Sequence, residues 1–358
     1  MKRLAWLAAA LLVGVIAYLG LWPVPIEPVA WLPPASDTLR GSFARTQDFD
    51  GLDYRADALG PGPEDIAQGP DGWYYAGLQD GRIVRFRPGG GLPQEFANTG
   101  GRPLGMQFDG DGRLIVADAF KGLLAVAPDA TLRVLTDSVD GVRLMYPDDL
   151  DIADDGTVWF TNASQRDHDH QWILDFWEGQ ATGQLLSWDP RTGATTIRLE
   201  GLRFANGVAL GPDDTYVLVN ETMARRIVRL WLKGPKAGSH ELFADGLPGH
   251  PDNLSYDGSG LFWVALPSRR SALFDWLAPR PFLRKVLLRL PASWIDVRPP
   301  PLGWVVAIDE DGNARHDLRD ESGRYTDITS VNEFDGRLYL GSIKMSSAAS
   351  LDLPGPAP

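Results

Sequence analysis

The sequence predicts an all-β fold, a six-bladed β-propeller with an N-terminal transmembrane helix and two lid insertions. Three observations carry this. A strand–turn–strand unit recurs six times along the chain. Gly 39, Pro 28 and Trp 13 in 358 residues supply the turns and aromatic surface of a β protein. An apolar run, set apart from the repeats, opens the chain.

That run comes first. Lys2 and Arg3 precede a stretch without charge from Leu4 to Trp22. At 1.5 Å per residue it reaches about 28 Å, close to the apolar thickness of a bilayer. The basic flank places the N-terminus in the cytoplasm and the remainder on the periplasmic or extracytoplasmic side. A cleaved signal peptide is the competing reading. The run, however, ends in Leu-Trp-Pro-Val-Pro-Ile-Glu-Pro, a poor cleavage site, which favours a retained signal-anchor. The expected organisation is an anchor over 1–22, a proline-rich spacer over 23–40 and a propeller over 41–358.

The repeats begin with PEDIAQGPDGWYYAG at 63, PLGMQFDGDGRLIVAD at 103, PDDLDIADDGTVWFTN at 147, ANGVALGPDDTYVLVN at 205, PDNLSYDGSGLFWVAL at 251 and TSVNEFDGRLYLGS at 329. Each is a short strand, a Gly/Asp turn and a second strand, usually followed by a third such as RIVRF, GLLAV or QLLSW. A β-rich unit of roughly 40–50 residues repeated six times is the signature of propeller blades. The sixth lacks an evident fourth strand; residues near 50–59 are expected to supply it and close the ring.

In a propeller the innermost strands start around the central channel. The second residues of the repeats are Glu64, Leu104, Asp148, Asn206, Asp252 and Thr329; the next are Asp65, Gly105, Asp149, Gly207, Asn253 and Ser330. Two carboxylates about 4 Å apart repel by roughly 4 kcal/mol at an effective dielectric of 20, so such a ring calls for a cation. Oxygen donors without Cys or His select a hard ion, and a mixed carboxylate/amide ring favours Ca2+. The formal charge of −13 attracts cations and excludes nucleic acid as a partner. With no cysteine, thiol nucleophiles, thiolate metal sites and disulfides are excluded. No phosphate loop, serine elbow or dinucleotide fingerprint occurs.

LRFANGVALGPDDTYVLVNET, LPGHPDNLSYDGSG and GRPLGMQFDGDGRLIVADAFKGL resemble, in order and spacing, the strictosidine synthase-like family in its membrane-anchored branch, related to paraoxonases and the gluconolactonase group. The likeness covers roughly residues 50–345. It implies a channel calcium and, in hydrolytic relatives, ester or lactone cleavage. By position, Glu64, Asp148, Asn206, Asp252 and Asn253 match the ligands of the catalytic calcium. Asp65 and Asp149 match ligands of a second, structural calcium. Asp148 stands where relatives usually carry Asn, which adds negative charge. Leu104 stands where paraoxonases carry a catalytic histidine. The synthase glutamate is absent at Thr329 and Ser330, which argues against alkaloid-type condensation.

Two long connections, 164–182 and 267–302, join the second and third strands of their blades. They are expected to lie over the metal as a lid, with Trp172, Phe176, Trp177, Phe274 and Trp276 facing apolar substrates. His168 and His170 read as a solvated loop, with a proton shuttle or second metal site as the sharper alternative. Within FLRKVLLRL, 282–290, Phe282, Leu283, Val286, Leu287 and Leu290 share a helical face, with Arg284, Lys285 and Arg289 mainly off it. That face either packs onto the protein or dips into an anionic bilayer.

Two functions remain. The first is a calcium-dependent hydrolase of aryl esters or lactones, with a small apolar substrate, Asp252 as base or nucleophile and Asn206 and Asn253 positioning the substrate oxygen. The second is a non-catalytic, membrane-tethered propeller stabilised by calcium that binds a partner or lipid.

Overall fold

The computed structural model describes residues 1–355 except 36–39, 42–48, 50, 57, 88, 90, 167–170 and 295–299. His168 and His170 therefore lie outside the described residues. The chain divides into two compact units. One comprises Met1–Pro33, Asp167–Gln180 and Ser271–Pro299; the other comprises Pro34–Arg166, Ala181–Arg270 and Pro300–Pro358.

The second unit is the expected six-bladed propeller. Blade one is formed by Ile66–Gln68, Tyr74–Gly77, Arg82–Phe86 and Gln94–Asn98; blade two by Pro103–Phe108, Leu114–Asp118, Gly122–Val126 and Leu132–Thr136. Blade three contains Pro147–Ile152, Val158–Asn162, Gly183–Trp188 and Thr195–Leu202, and blade four Ala205–Leu210, Tyr216–Glu221, Arg226–Trp231 and His240–Ala244. Blade five runs Leu254–Tyr256, Leu261–Ala265, Gly303–Asp309 and Asn313–Asp320, with Arg40–Gly41 added in parallel on its outer edge. Blade six takes Ile328–Phe334, Arg337–Ser342 and Ala348–Asp352 from the C-terminus. Its fourth strand, Asp53–Ala56, pairs antiparallel with Ala348–Asp352. The ring thus closes with the early strand that the sequence called for.

Second and third strands are buried on both faces, as in Leu114–Asp118 and Gly122–Val126, because each blade is sandwiched between two others. Phe262, Leu266, Trp304, Val306 and Ile308 of blade five pack with Leu218, Ile227 and Phe243 of blade four. At about 1.5–3 kcal/mol for each fully buried large apolar side chain, these inter-blade layers hold the strand starts in register.

The first unit contains α1 (Lys2–Leu21), α2 (Ile173–Glu178), α3 (Ala272–Leu277) and α4 (Pro281–Leu288). None of α1's residues is buried, and it is long and apolar enough to cross a membrane. Gly179, at φ 66°, ends α2 in the left-handed conformation that glycine adopts without strain. Ser271 caps α3 by accepting from Phe274 N, and Pro281 opens α4. The spacer is not a bare strut: Val29 N and Trp31 N bond to Glu178 O and Ala278 O, and Ile26 is buried with Trp177 and Leu277.

Candidate metal centre

Four of the six strand starts share a local device. In blades two, three, four and six the pairing of the innermost strand slips at the ring residues, between Pro103 and Met106, Pro147 and Leu150, Ala205 and Val208, and Ile328 and Ser330. Such bulges set two residues against one and re-aim side chains. Consecutive residues therefore take different tasks. Gly105 and Gly207 belong to this arrangement. A Cβ on Gly105 would stand 2.3 Å from Asp149 Oδ1, and one on Gly207 would stand 2.5 Å from Asp252 O. Glycine at these two positions lets blades two and four approach the next blade's first strand.

Glu64, Asp148, Asn206 and Asn253 are buried, and Asp252 is partly so. Asn253 Nδ2 donates to Glu64 Oε1 at 3.2 Å. Thr329 Oγ1 donates to Glu64 O at 2.7 Å, and Asn253 N to Thr329 O at 3.0 Å. The main-chain oxygen of Asp252 accepts from Asn220 Nδ2 at 2.5 Å and from Gly207 N at 3.1 Å. Blades one, four, five and six are thereby linked at the ring. Asn162 and Asn220, glycosylation triplets by sequence, are fully buried and bonded in the interior.

The electrostatics are unfavourable to bare carboxylates. Burial and then Asp252, Asp148, Asp65 and Asp149 push Glu64 well above the usual carboxylate range. Burial and Asp252 do the same to Asp148, with Arg102 opposing. Burial raises Asp252 to about 7, although a hydrogen bond from Asn206 and the charge of Arg102 lower it. Each shift is a cost of ionisation in a crowded, poorly solvated site.

Three oxygens at this site, Glu64 Oε2, Asn206 Oδ1 and Asn253 Oδ1, are buried with no hydrogen-bond partner. A buried acceptor left unbonded costs about 1–3 kcal/mol. Among the described residues, no three His, Asp or Glu side chains form a cage by themselves. The candidate donors are instead the two amide oxygens together with the carboxylates of Glu64, Asp148 and Asp252, which act on one another electrostatically. An all-oxygen set of this charge fits Ca2+.

Asp65 and Asp149, expected at a second calcium, have their oxygens engaged by main-chain amides. Asp65 accepts from Ile66 N at 2.8 Å, Met106 N at 2.9 Å and Asn332 Nδ2 at 2.8 Å. Asp149 accepts from Leu150 N and Val208 N, both at 2.9 Å. Asp65 thus joins blade one to blades two and six, and Asp149 joins blade three to blade four. Asp151 repeats the device with Ile152 N and Leu210 N. These carboxylates bind blades together.

Two residues that sequence reasoning passed over belong to the site. Arg102 on blade two is close enough to act on Asp148, Asp252 and Tyr146, and its buried Nε has no partner. Tyr146 is buried, and its hydroxyl is raised above the usual phenol range, chiefly by burial. An arginine two residues before the apolar ring position, Leu104, was the available signal.

The lid aromatics fall in the first unit. Trp177 is in its core and packs against Phe274 with ring centroids 5.1 Å apart; Trp172 stacks edge-on with Phe176 at 5.6 Å. Trp276 is exposed, with the Arg280 guanidinium 4.4 Å from its ring. Arg284, read as lying off the apolar face, is buried and donates to the carbonyls of Trp177, Glu178, Ala278 and Val29.

The strictosidine synthase profile matches residues 148–235, and the strictosidine synthase-like N-terminal profile matches 41–86. Protein strictosidine synthase-like 6 of Arabidopsis thaliana is 39% identical over 297 residues, covering 81% of this chain and 79% of the relative. The adipocyte plasma membrane-associated protein of Salmo salar is 34% identical over 315 residues, covering 82% and 76%. Among solved structures, a gluconolactonase from Xanthomonas campestris superposes with TM-score 0.64 at 18% identity, covering 92% of this chain and 99% of that one. The calcium-binding protein regucalcin from Agrobacterium tumefaciens superposes with TM-score 0.57 at 13% identity, covering 92% and 99%. These superpositions establish the fold. With sequence identity of this extent over four-fifths of its length, the chain belongs to the strictosidine synthase-like family.

Proposed function

We propose that this chain is a membrane-tethered, calcium-dependent hydrolase of carboxylic esters or lactones. The observation that carries the reading is the set of buried, unpartnered oxygens of Glu64, Asn206 and Asn253 beside the carboxylates of Asp148 and Asp252. Calcium held by these five residues would supply a Lewis acid at the channel mouth. Asp252 is the candidate base. It takes a proton from water, the water oxygen adds to the carbonyl carbon, and the acyl C–O bond then breaks as the proton on Asp252 passes to the leaving oxygen, which releases alcohol and acid. The bond from Asn220 Nδ2 to Asp252 O positions this residue. Arg102 brings positive charge toward the oxygen that becomes anionic. The gluconolactonase of like fold supports the reaction class by analogy alone.

Phenyl acetate and a δ-lactone, offered to the full chain in detergent micelles, test this. Turnover should vanish with EDTA and return with added calcium. Calcium-saturated protein that hydrolyses neither substrate overturns the proposal. A second reading, a non-catalytic propeller stabilised by calcium and binding a partner or lipid, is favoured by Leu104, which brings no titratable group to the ring. In that case calcium raises the melting temperature while both substrates persist.

A further inference from the structure

Arg289, immediately after α4, is buried and donates from Nε to Trp22 O at 2.6 Å and from Nη1 to Leu19 O at 2.8 Å. Tyr18 Oη donates to Arg289 O at 2.9 Å. These carbonyls belong to the last turn of α1 and the residue after it, where a helix has acceptors without intrahelical partners and the negative end of its dipole. A guanidinium there fixes the end of α4 to the end of the membrane-spanning segment. The position of α4 relative to a bilayer is thus set by α1.

The same helices leave large apolar side chains uncovered. Leu283, Leu287 and Leu288 of α4 pack toward Ile26, Trp177 and Leu277, but Phe282 is 60% exposed. Leu273 and Trp276, one turn apart on α3, are 43% and 51% exposed, and Trp294 in the short turn Ala292–Trp294 is 75% exposed. Arg280 covers Trp276 with its guanidinium. Amphipathic aromatic rings beside a snorkelling cation are characteristic of the headgroup–acyl boundary.

We infer that α3, α4 and the turn after them rest in the interfacial layer of the membrane that α1 crosses, with Leu273, Trp276, Phe282 and Trp294 as the lipid-contacting side chains. Arg284 and Arg289 are both consumed by carbonyls inside the unit, so neither is free to meet headgroups, and the inferred contact is carried by the apolar and aromatic side chains. This inference rests on α1 spanning the bilayer and is independent of any hydrolytic activity.

The chain has no cysteine, which allows single nitroxides to be placed without background. Trp276→Cys, Phe282→Cys and, as a lipid reference, Val13→Cys are labelled in the full chain in zwitterionic phosphatidylcholine vesicles. Each variant is first required to melt like the parent. The labels at 276 and 282 should meet dissolved oxygen more than a water-soluble nickel chelate, as at Val13 and opposite to a nitroxide free in buffer. Nickel contact like that of the free nitroxide overturns the inference, as does shielding from both reagents, which would mean contact with protein. Adding Arg289→Gln should move the label at 282 toward water while the label at Val13 keeps its depth. An unmoved label at 282 would overturn the role given to the arginine.

Discussion

Asp149→Ala separates a carboxylate that holds blades together from one that holds a metal. Asp149 accepts from Leu150 N on its own strand and Val208 N on blade four. Both amides sit in buried stretches of the innermost strands. Removing the side chain leaves two donors unpaired, at about 1–3 kcal/mol each. Part of this is offset. Burial and then Asp65 raise Asp149 well above the usual carboxylate range, so its ionised form is itself disfavoured, and loss of that charge relieves Glu64. A net destabilisation of about 2–4 kcal/mol follows.

For a chain of this size that corresponds to a fall of roughly 3–6 °C in melting temperature. The assay is thermal unfolding of parent and variant, each with saturating calcium and with EDTA, together with calcium stoichiometry by elemental analysis. If Asp149 joins blades, the fall is the same in both media and the calcium count does not change. A fall present only with calcium, accompanied by loss of an ion, would refute the assignment and restore Asp149 to a second metal site.

Three further outcomes follow from the ring. Asp148→Asn removes one of its negative charges and should weaken calcium affinity without unfolding the propeller; an unchanged dissociation constant by calorimetry would place Asp148 outside the ligand set. Asp252→Asn keeps an oxygen donor but removes the basic group, so calcium should remain while ester turnover falls by about 10²- to 10⁴-fold; undiminished turnover would exclude Asp252 from proton transfer. The last concerns pH. Asp252 is raised to about 7 in the protein, so without metal the native state binds more protons than the unfolded chain between about pH 4 and 7, and stability drops as pH rises through that window. Protons also compete with calcium for the same oxygens, so the gap between calcium-loaded and EDTA-treated melting temperatures should widen from about pH 5 to 7; a narrowing gap would contradict the raised carboxylates.

Hairpin periodicity made the blades legible, and the missing last strand of blade six pointed to residues near 53, where Asp53–Ala56 is found. Both are inferences from repetition, to which the sequence is most sensitive. The site was legible only as a demand for compensation. Glu64 and Asp65, or Asp148 and Asp149, are adjacent and alike in sequence, yet one of each pair faces its counterparts across the channel while the other receives main-chain N–H groups from a neighbouring blade. At Asp148 and Asp149 a slip in strand pairing makes the division, and no composition rule registers a slip. Arg284 shows the same limit from the other side. A helical wheel ranks it as polar and outward because most of the carbonyls that receive it, on Val29, Trp177 and Glu178, come from distant segments. A charged residue in a sequence thus states that a partner is required, while the identity of that partner depends on which distant backbone groups the fold leaves without bonds of their own.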